Sequence, residues 1–289
     1  MTIEEKINIA LKRLDAAIKI FKPIEVFGTY SGGHDSFSAC YIASLHPKFS
    51  GVVHINTGIG IEATRDHVRE ACREKGWNLL EYKATENTKS DGSPDPQIYE
   101  EWVNKYGFPG PKCHTDMYTR LKQRSIERLE RDLGATARKT NPRLVLYVGG
   151  ARSDESDRRM RTVAGDAYKE SKRVWANIIH DWTKLDTTEL IKFTNSKRNP
   201  VVDLIHKSGE CLCGAFANPG ELEELNMWDI TRPAYKRITE LQNRVMEKFP
   251  WGWEDTPPKA YIEEKRGQEF MEPMKQMLCW RCINHKVPI

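Results

Sequence analysis

Residues 24–36 read Ile24-Glu25-Val26-Phe27-Gly28-Thr29-Tyr30-Ser31-Gly32-Gly33-His34-Asp35-Ser36. The apolar half predicts a strand over Ile24 to Tyr30, and a helix is expected to open near His34 and run through Ala43. Between them a glycine pair lets the backbone turn tightly and approach a ligand closely. The helix N-terminus beyond it offers unpaired N–H groups and the positive end of the dipole. Ser31 and Ser36 add hydroxyl donors, so the stretch has the makings of an anion nest. A plain glycine turn capped by Ser or Asp is the competing reading. Strand, turn and helix in this order favour phosphate. The lysine of the Walker A loop is absent, and the dinucleotide fingerprint does not match.

Working outward, the strand–helix alternation continues. Ile7, Ala10, Leu11, Leu14, Ala17 and Ile18 fall on one helical face within Thr2 to about Ile20, and Pro23 closes that helix. Val52 to Ile55 is a predicted strand, Ile61 to Lys75 a helix and Asn78 to Tyr82 a strand. A polar loop covers Thr85 to Asp95, and a helix is expected over Thr115 to Leu133. Arg143 to Val148 is apolar enough for a buried strand, and Trp175 to Ile179 adds one more. Short connections between alternating elements predict an α/β fold, a parallel sheet with helices on both faces. After about Asn199 the texture shifts to Cys, Trp, Pro and Met. We place one domain, holding this glycine-rich loop, at 1–205 and a small Cys-containing appendage at 206–289.

Composition narrows the classes. The 289 residues are 39% hydrophobic and 30% charged, with a formal net charge of +4, too mild to argue for nucleic acid by itself. No apolar run approaches the roughly 20 residues of a membrane span. The start, Met1-Thr2-Ile3-Glu4-Glu5-Lys6, lacks the layout of a secretory signal. With seven cysteines and no export signal, thiolate chemistry or metal binding is a better prior than a disulfide scaffold. The expectation is a soluble, cytoplasmic protein with no membrane partner.

Four motifs carry a family resemblance. Ser31-Gly32-Gly33-His34-Asp35-Ser36 resembles the pyrophosphate loop of the adenine-nucleotide ATP pyrophosphatases. Ile55-Asn56-Thr57-Gly58-Ile59-Gly60-Ile61-Glu62-Ala63-Thr64 resembles the strand-end segment of the 3′-phosphoadenylylsulfate (PAPS) reductase family. There, Asn56 stands where that family usually has Asp, and Ala63 separates Glu62 from Thr64. Gly149-Gly150-Ala151-Arg152-Ser153-Asp154-Glu155-Ser156, with Arg158 and Arg159, resembles its arginine loop. Ile178-Ile179-His180-Asp181-Trp182 is similar to its Pro-Ile-x-x-Trp segment, with Ile178 in place of Pro.

The resemblance implies an adenine nucleotide alpha-hydrolase-like fold and ATP with Mg²⁺ as cofactor. The binding set would be Ser31, Gly32, Gly33, Asp35, Ser36, Thr57, Gly58, Gly150, Arg152 and Arg158. Asp35 would help hold Mg²⁺. Arg152, with Arg158 or Arg159, could clamp phosphate bidentately. A solvated basic face, with Glu155 in an ion-pair net, is the alternative for these arginines.

Two chemistries follow from the resemblance. One is ATP pyrophosphatase chemistry, which adenylates a substrate oxygen for sulfur transfer, with a sulfur donor protein and a nucleic acid as possible partners. The other is a sulfonucleotide reductase acting on PAPS or adenylylsulfate. The complete Ser-Gly-Gly-x-Asp-Ser loop favours the first. The reductase tail is reduced here to the Cys-x-x-His of Cys282 and His285. A non-catalytic nucleotide- or DNA-binding module is a third possibility.

Cys211-Leu212-Cys213 and Cys279-Trp280-Arg281-Cys282 form two close pairs, together a four-thiolate set for one metal site. Spacing leaves a [4Fe-4S] cluster and Zn²⁺ open, and relatives by fold tilt the choice to the cluster. A redox dithiol is a further alternative. Cys113, in Gly110-Pro111-Lys112-Cys113-His114, is a fifth candidate, while Cys40 and Cys72 are expected in the core. Lys112, Arg120, Lys122 and Arg124 suggest either an exposed helix face or a basic rim for nucleic acid. Trp251-Gly252-Trp253, with Lys259, suggests a packing cap or a base-stacking platform.

Overall fold

The computed structural model describes residues 1–153 and 165–258. The predicted elements form close to where periodicity places them. Helix α1 (Ile3–Phe21) begins in a capping box, with Thr2 and Glu5 each satisfying the other's backbone N–H, and buries Ile7, Ala10, Leu14 and Ala17. It is followed by β1 (Glu25–Thr29), α2 (His34–Ser44), β2 (Phe49–Asn56), α3 (Glu62–Lys75) and β3 (Leu79–Lys83). Further on come β4 (Val145–Val148), β5 (Ala167–Glu170) and β6 (Arg173–Ala176).

The six strands make one sheet in the order β3-β2-β1-β4-β6-β5, parallel except for the β5–β6 pair. The α/β class expected from the sequence is the one observed. Side chains alternate through the sheet as a pleat requires. Val26, Val52, Leu146 and Val148 point into a core shared with α1, α2 and helix Lys184–Phe193. Phe27, Val53, Val145 and Tyr147 point the other way, onto Ile126 and Leu129 of helix Arg124–Asp132. With both faces covered, a central strand such as Val145–Val148 is apolar throughout.

Three features depart from the expectation. β5 is an antiparallel edge strand, because only Ser171 and Lys172 separate it from β6, and so short a loop can join only antiparallel neighbours. Ser171 takes the left-handed conformation there. Its polar pattern, Ala-Tyr-Lys-Glu, does not announce a strand. The long helix expected over Thr115 to Leu133 is divided into His114–Tyr118, a π-helical turn at Thr119–Gln123 and Arg124–Asp132. The Cys- and Trp-rich region is helical, with Pro200–Ile205, Glu221–Met227 and Arg232–Val245.

A third core lies beyond the carboxyl ends of the strands. Ile59, Ile61, Tyr99, Trp102 and Phe108 meet Val201, Leu212, Leu241, Trp251 and Trp253 there. Cys40 and Cys72 are buried in the main core, as expected. Among the described residues no helix is long and apolar enough to cross a membrane.

One buried ion pair ties the sheet to the helices on its second face. Arg173 of β6 donates from Nε and Nη2 to the two oxygens of Glu130, at 2.7 and 2.9 Å, and Glu130 is fully buried. Arg173→Met should cost about 3 kcal/mol of unfolding free energy, since it strands a buried carboxylate that has, among the described residues, Lys172 as its other ion-pair partner. Urea denaturation followed by circular dichroism reads this directly.

Candidate functional site

β1 lies between β2 and β4, and the chain runs outward from it in one direction to β2 and β3 and in the other to β4 and β6. The carboxyl ends of β1 and β4 therefore frame the switch point of the sheet, where open α/β sheets form their ligand crevice. Two of the expected motifs leave from these two ends.

The loop after β1 is built to expose backbone N–H groups. Gly32 takes a φ of +84°, and a Cβ there would stand 2.5 Å from Thr64 Cγ2. Gly33 is the N-cap of α2 with no side chain capping it, so the first turn keeps its N–H donors pointing outward. Ser36 Oγ donates to the Gly33 carbonyl at 2.9 Å and accepts from Ser31 N–H at 3.3 Å, with Ser31 Oγ 3.2 Å away. The loop is thus held shut by its own serines. His34 is mostly covered beside Asp203 rather than open to solvent, and burial pushes its pKa down.

The loop after β4 lies against that first turn. A Cβ on Gly150 would stand 2.5 Å from Ser36 N and 2.6 Å from Asp35 C, so only glycine fits. Two residues on, Arg152 is buried, with Nε 2.9 Å from Asp35 Oδ1 and Nη1 donating to the Trp182 carbonyl at 3.4 Å. Ser153 N–H donates to the His180 carbonyl. The segment Ile178 to Trp182 is therefore the floor that holds the arginine loop. Ser31, Gly32, Gly33, Asp35, Ser36, Gly150 and Arg152 come together at one place. Arg158, Arg159 and Glu155 lie outside the described residues.

The strand-end segment after β2 behaves differently. Thr57 is buried, its N–H donating to Glu210 Oε1 at 3.0 Å and its hydroxyl to the Glu210 carbonyl at 2.5 Å. Gly58 has a φ of +79°, and Arg237 donates to the carbonyls of Gly58 and Ile59. The asparagine at 56 has a local reason. Its Nδ2 donates to Glu81 Oε1 at 2.8 Å and its Oδ1 accepts from Gly58 N–H at 3.0 Å. An aspartate would set two carboxylates face to face. The Glu62–Thr64 pair is divided between surface and interior: Glu62 meets Arg65 and Arg69 at the surface, while Thr64 is fully buried against the phosphate loop.

Sequence reasoning missed Asn199, Ser208, Glu210, His54 and Arg65. Asn199-Pro200 carries a readable N-cap signal, and Asn199 does cap that helix through Val201 N–H. Nothing local announces its second role, in which Nδ2 donates to the Gly32 carbonyl at 2.9 Å.

Cys211 and Cys213 lie side by side, their segment anchored by Trp253 Nε1–H on the Leu212 carbonyl and Tyr99 hydroxyl on the Cys213 carbonyl. The hydrogen bond between the two sulfurs holds the Cys211 thiol below its ordinary pKa and Cys213 above it. Cys279 and Cys282 lie outside the described residues. Among those described, no three His, Cys, Asp or Glu side chains gather to hold a metal ion. Cys113 is buried. Of the expected basic rim, Arg120 donates to Gln97 and stacks on Trp102, and Arg124 pairs with Asp95. Trp251 and Trp253 are buried, which is the packing role; Lys259 lies outside the described residues.

Solved structures show partial similarity to the chain. A PAPS reductase from Candida auris, solved with phosphate, is 17% identical over 68% of this chain and 84% of its own, at a TM-score of 0.47. An FMN adenylyltransferase from Candida glabrata, in complex with FMN and an ATP analogue, is 12% identical over 70% of this chain and 61% of its own, at 0.46. The U34-tRNA thiolase NcsA from Methanococcus maripaludis, with its [4Fe-4S] cluster, is 10% identical over 94% of this chain and 80% of its own, at 0.39. No protein-family model and no curated protein sequence matches the chain. The functional reading below rests on the residues.

The Asn56–Glu81–Arg69 contact sets a pH signature. Arg69, donating to both oxygens of Glu81, and Asn56 hold this carboxyl at about 2, against an ordinary value of 4.5. The unfolded chain takes up this proton near pH 4.5, whereas the folded chain resists until about 2. The contribution to stability is therefore whole above that window and lost as pH falls through it. Glu81→Gln should flatten the fall in urea midpoint between these two pH values.

Proposed function

We propose that the chain is a pyrophosphate-loop enzyme related to the PAPS reductases, that it binds ATP with Mg²⁺, and that it adenylates a substrate oxygen for sulfur transfer. The observation that carries this reading is the apposition of Gly150 and Arg152 to the first turn of α2 at the switch point of the sheet. Bare N–H groups, a buried guanidinium and a carboxylate converge there, the donor set that a polyphosphate needs.

In this reading Ser31 to Ser36 bind the phosphates through backbone N–H groups and the two hydroxyls. The acceptor oxygen attacks the α-phosphate, pyrophosphate leaves, and a sulfur nucleophile later displaces AMP. Arg152 stabilises charge that builds on the phosphates, and Asp35 orients Arg152 and would hold Mg²⁺, which neutralises the leaving pyrophosphate. Gly58, at the mouth of the strand-end turn, would border the adenosine. Thr57 shapes that turn from beneath, since its own hydrogen bonds go to Glu210.

Cys211 and Cys213 fit half of a four-thiolate set. With Cys279 and Cys282 they would hold a [4Fe-4S] cluster or Zn²⁺, and a cluster could carry sulfur for the transfer. A sulfur donor protein and a nucleic acid acceptor are the partners this chemistry would call for.

With nucleic acid and a sulfide source present, the protein should release AMP and pyrophosphate from ATP labelled in its α-phosphate. Arg152→Ala and Asp35→Ala should each lower kcat by about 10²–10³ while leaving the fold intact by circular dichroism. Release of sulfite from PAPS with a thiol reductant, and no cleavage of ATP, would instead identify a reductase. ATP binding that Asp35→Ala leaves unaltered, with no turnover, would identify a non-catalytic module.

A further inference from the structure

The chain from Asn199 to Glu210 touches both halves of the candidate site and runs directly into Cys211. At one end Asn199 Nδ2 donates to the Gly32 carbonyl at 2.9 Å and to Thr64 Oγ1 at 3.3 Å. Thr64 in turn donates to the Ser208 carbonyl at 2.5 Å, and Ile61 N–H to the Gly209 carbonyl at 2.9 Å. At the other end Glu210 takes both donors of Thr57. All four side chains of this chain of bonds are buried, so none exchanges its partner for water without cost.

The second oxygen of Glu210 is unusual. Oε2 lies 3.5 Å from His54 Nε2 and 3.7 Å from Arg65 Nε, outside hydrogen-bonding reach of both. Among the described residues, Glu210 Oε2, His54 Nε2, and Nε and Nη2 of Arg65 are buried without a hydrogen-bond partner. Oε2 and Arg65 Nε form an ion pair a few tenths of an ångström too long for a hydrogen bond, which leaves buried bonding capacity unused. A small advance of Glu210 would bring Oε2 within hydrogen-bonding reach of Arg65 Nε. His54 is fixed from behind, its Nδ1 2.8 Å from the Tyr30 carbonyl, immediately before the phosphate loop. The carboxylate therefore stands beside a ring anchored next to that loop, and its residue runs directly into Cys211.

We propose that Glu210 is a positioning residue that couples occupancy of the phosphate loop to the placement of Cys211. Ligand drawn onto Gly32 and Gly33 tightens Asn199, Thr64 and Ser208. Glu210 then closes on Arg65, and the Cys211-Leu212-Cys213 segment moves with it. This rests on the nucleotide reading of the loop and adds to it a route by which the thiols sense the nucleotide.

Hydrogen exchange on the full chain, with and without ATP and Mg²⁺, tests the coupling. In the wild type, amides of residues 31–36 and of 208–213 should both slow, by about fivefold or more in the second segment. In Glu210→Ala the slowing should persist at 31–36 and vanish at 208–213, and Glu210→Gln, whose amide oxygen still accepts from Thr57, should restore part of it. Thr57→Val, which removes only the hydroxyl donor, should weaken the response in the same direction and serves if Glu210→Ala does not fold. Slowing at 208–213 that survives both Glu210→Ala and Thr57→Val, or that is absent from a wild type protected at 31–36, overturns the coupling alone. No slowing at 31–36 in the wild type overturns the nucleotide reading and the coupling with it.

Discussion

Gly150 approaches the first turn of α2 so closely that any side chain there would strike the Ser36 nitrogen. That contact between two pieces of backbone is the constraint on which the site depends. It places the end of β4 over the loop that follows β1, at the one point in the sheet where successive connections diverge. It also brings Arg152 onto Asp35, with Ile178 to Trp182 as the floor beneath. Substituting bulk at this point would separate the arginine from the donors of α2, and neither alone is more than a common structural feature.

Around that contact the interior is polar to an unusual degree, and the polarity is organised in chains rather than pairs. Asn199, Thr64 and Ser208 bind the phosphate loop from below, and Glu210 binds the strand-end turn. Buried polar groups of this kind are expensive unless each is satisfied, so they tend to specify one arrangement of the loops that carry them. Here the chain is nearly but not completely satisfied. Among the described residues, four of its unfilled atoms belong to Glu210, His54 and Arg65, next to Cys211.

Much of the fold was legible locally. The alternation of short apolar strands with amphipathic helices places α1 to α3 and β1 to β4 within a few residues of where they lie, because both faces of the sheet are buried and the pattern is strong. β5 was not legible, since a half-buried edge strand reading Ala-Tyr-Lys-Glu carries little apolar signal. The π-helical turn within the helix after His114 left no mark on the periodicity. The paired arginines Arg120 and Arg124 look like a nucleic-acid rim in sequence, and in the structure they serve Gln97, Trp102 and Asp95.

The sequence by itself determined the class of fold and the tight turn of Ser31 to Ser36, because that stretch is one unbroken strand–turn–helix whose geometry is local. Gly150 and Arg152 were marked by the resemblance of their loop to a family motif. Only the tertiary structure decided that Thr57 faces inward to Glu210, that Asn56 is an asparagine because Glu81 stands opposite, and that Asn199 reaches back 167 residues to the Gly32 carbonyl. Those choices depend on which buried donor meets which buried acceptor across distant segments. No period or motif in a single chain encodes such a pairing before the segments have packed.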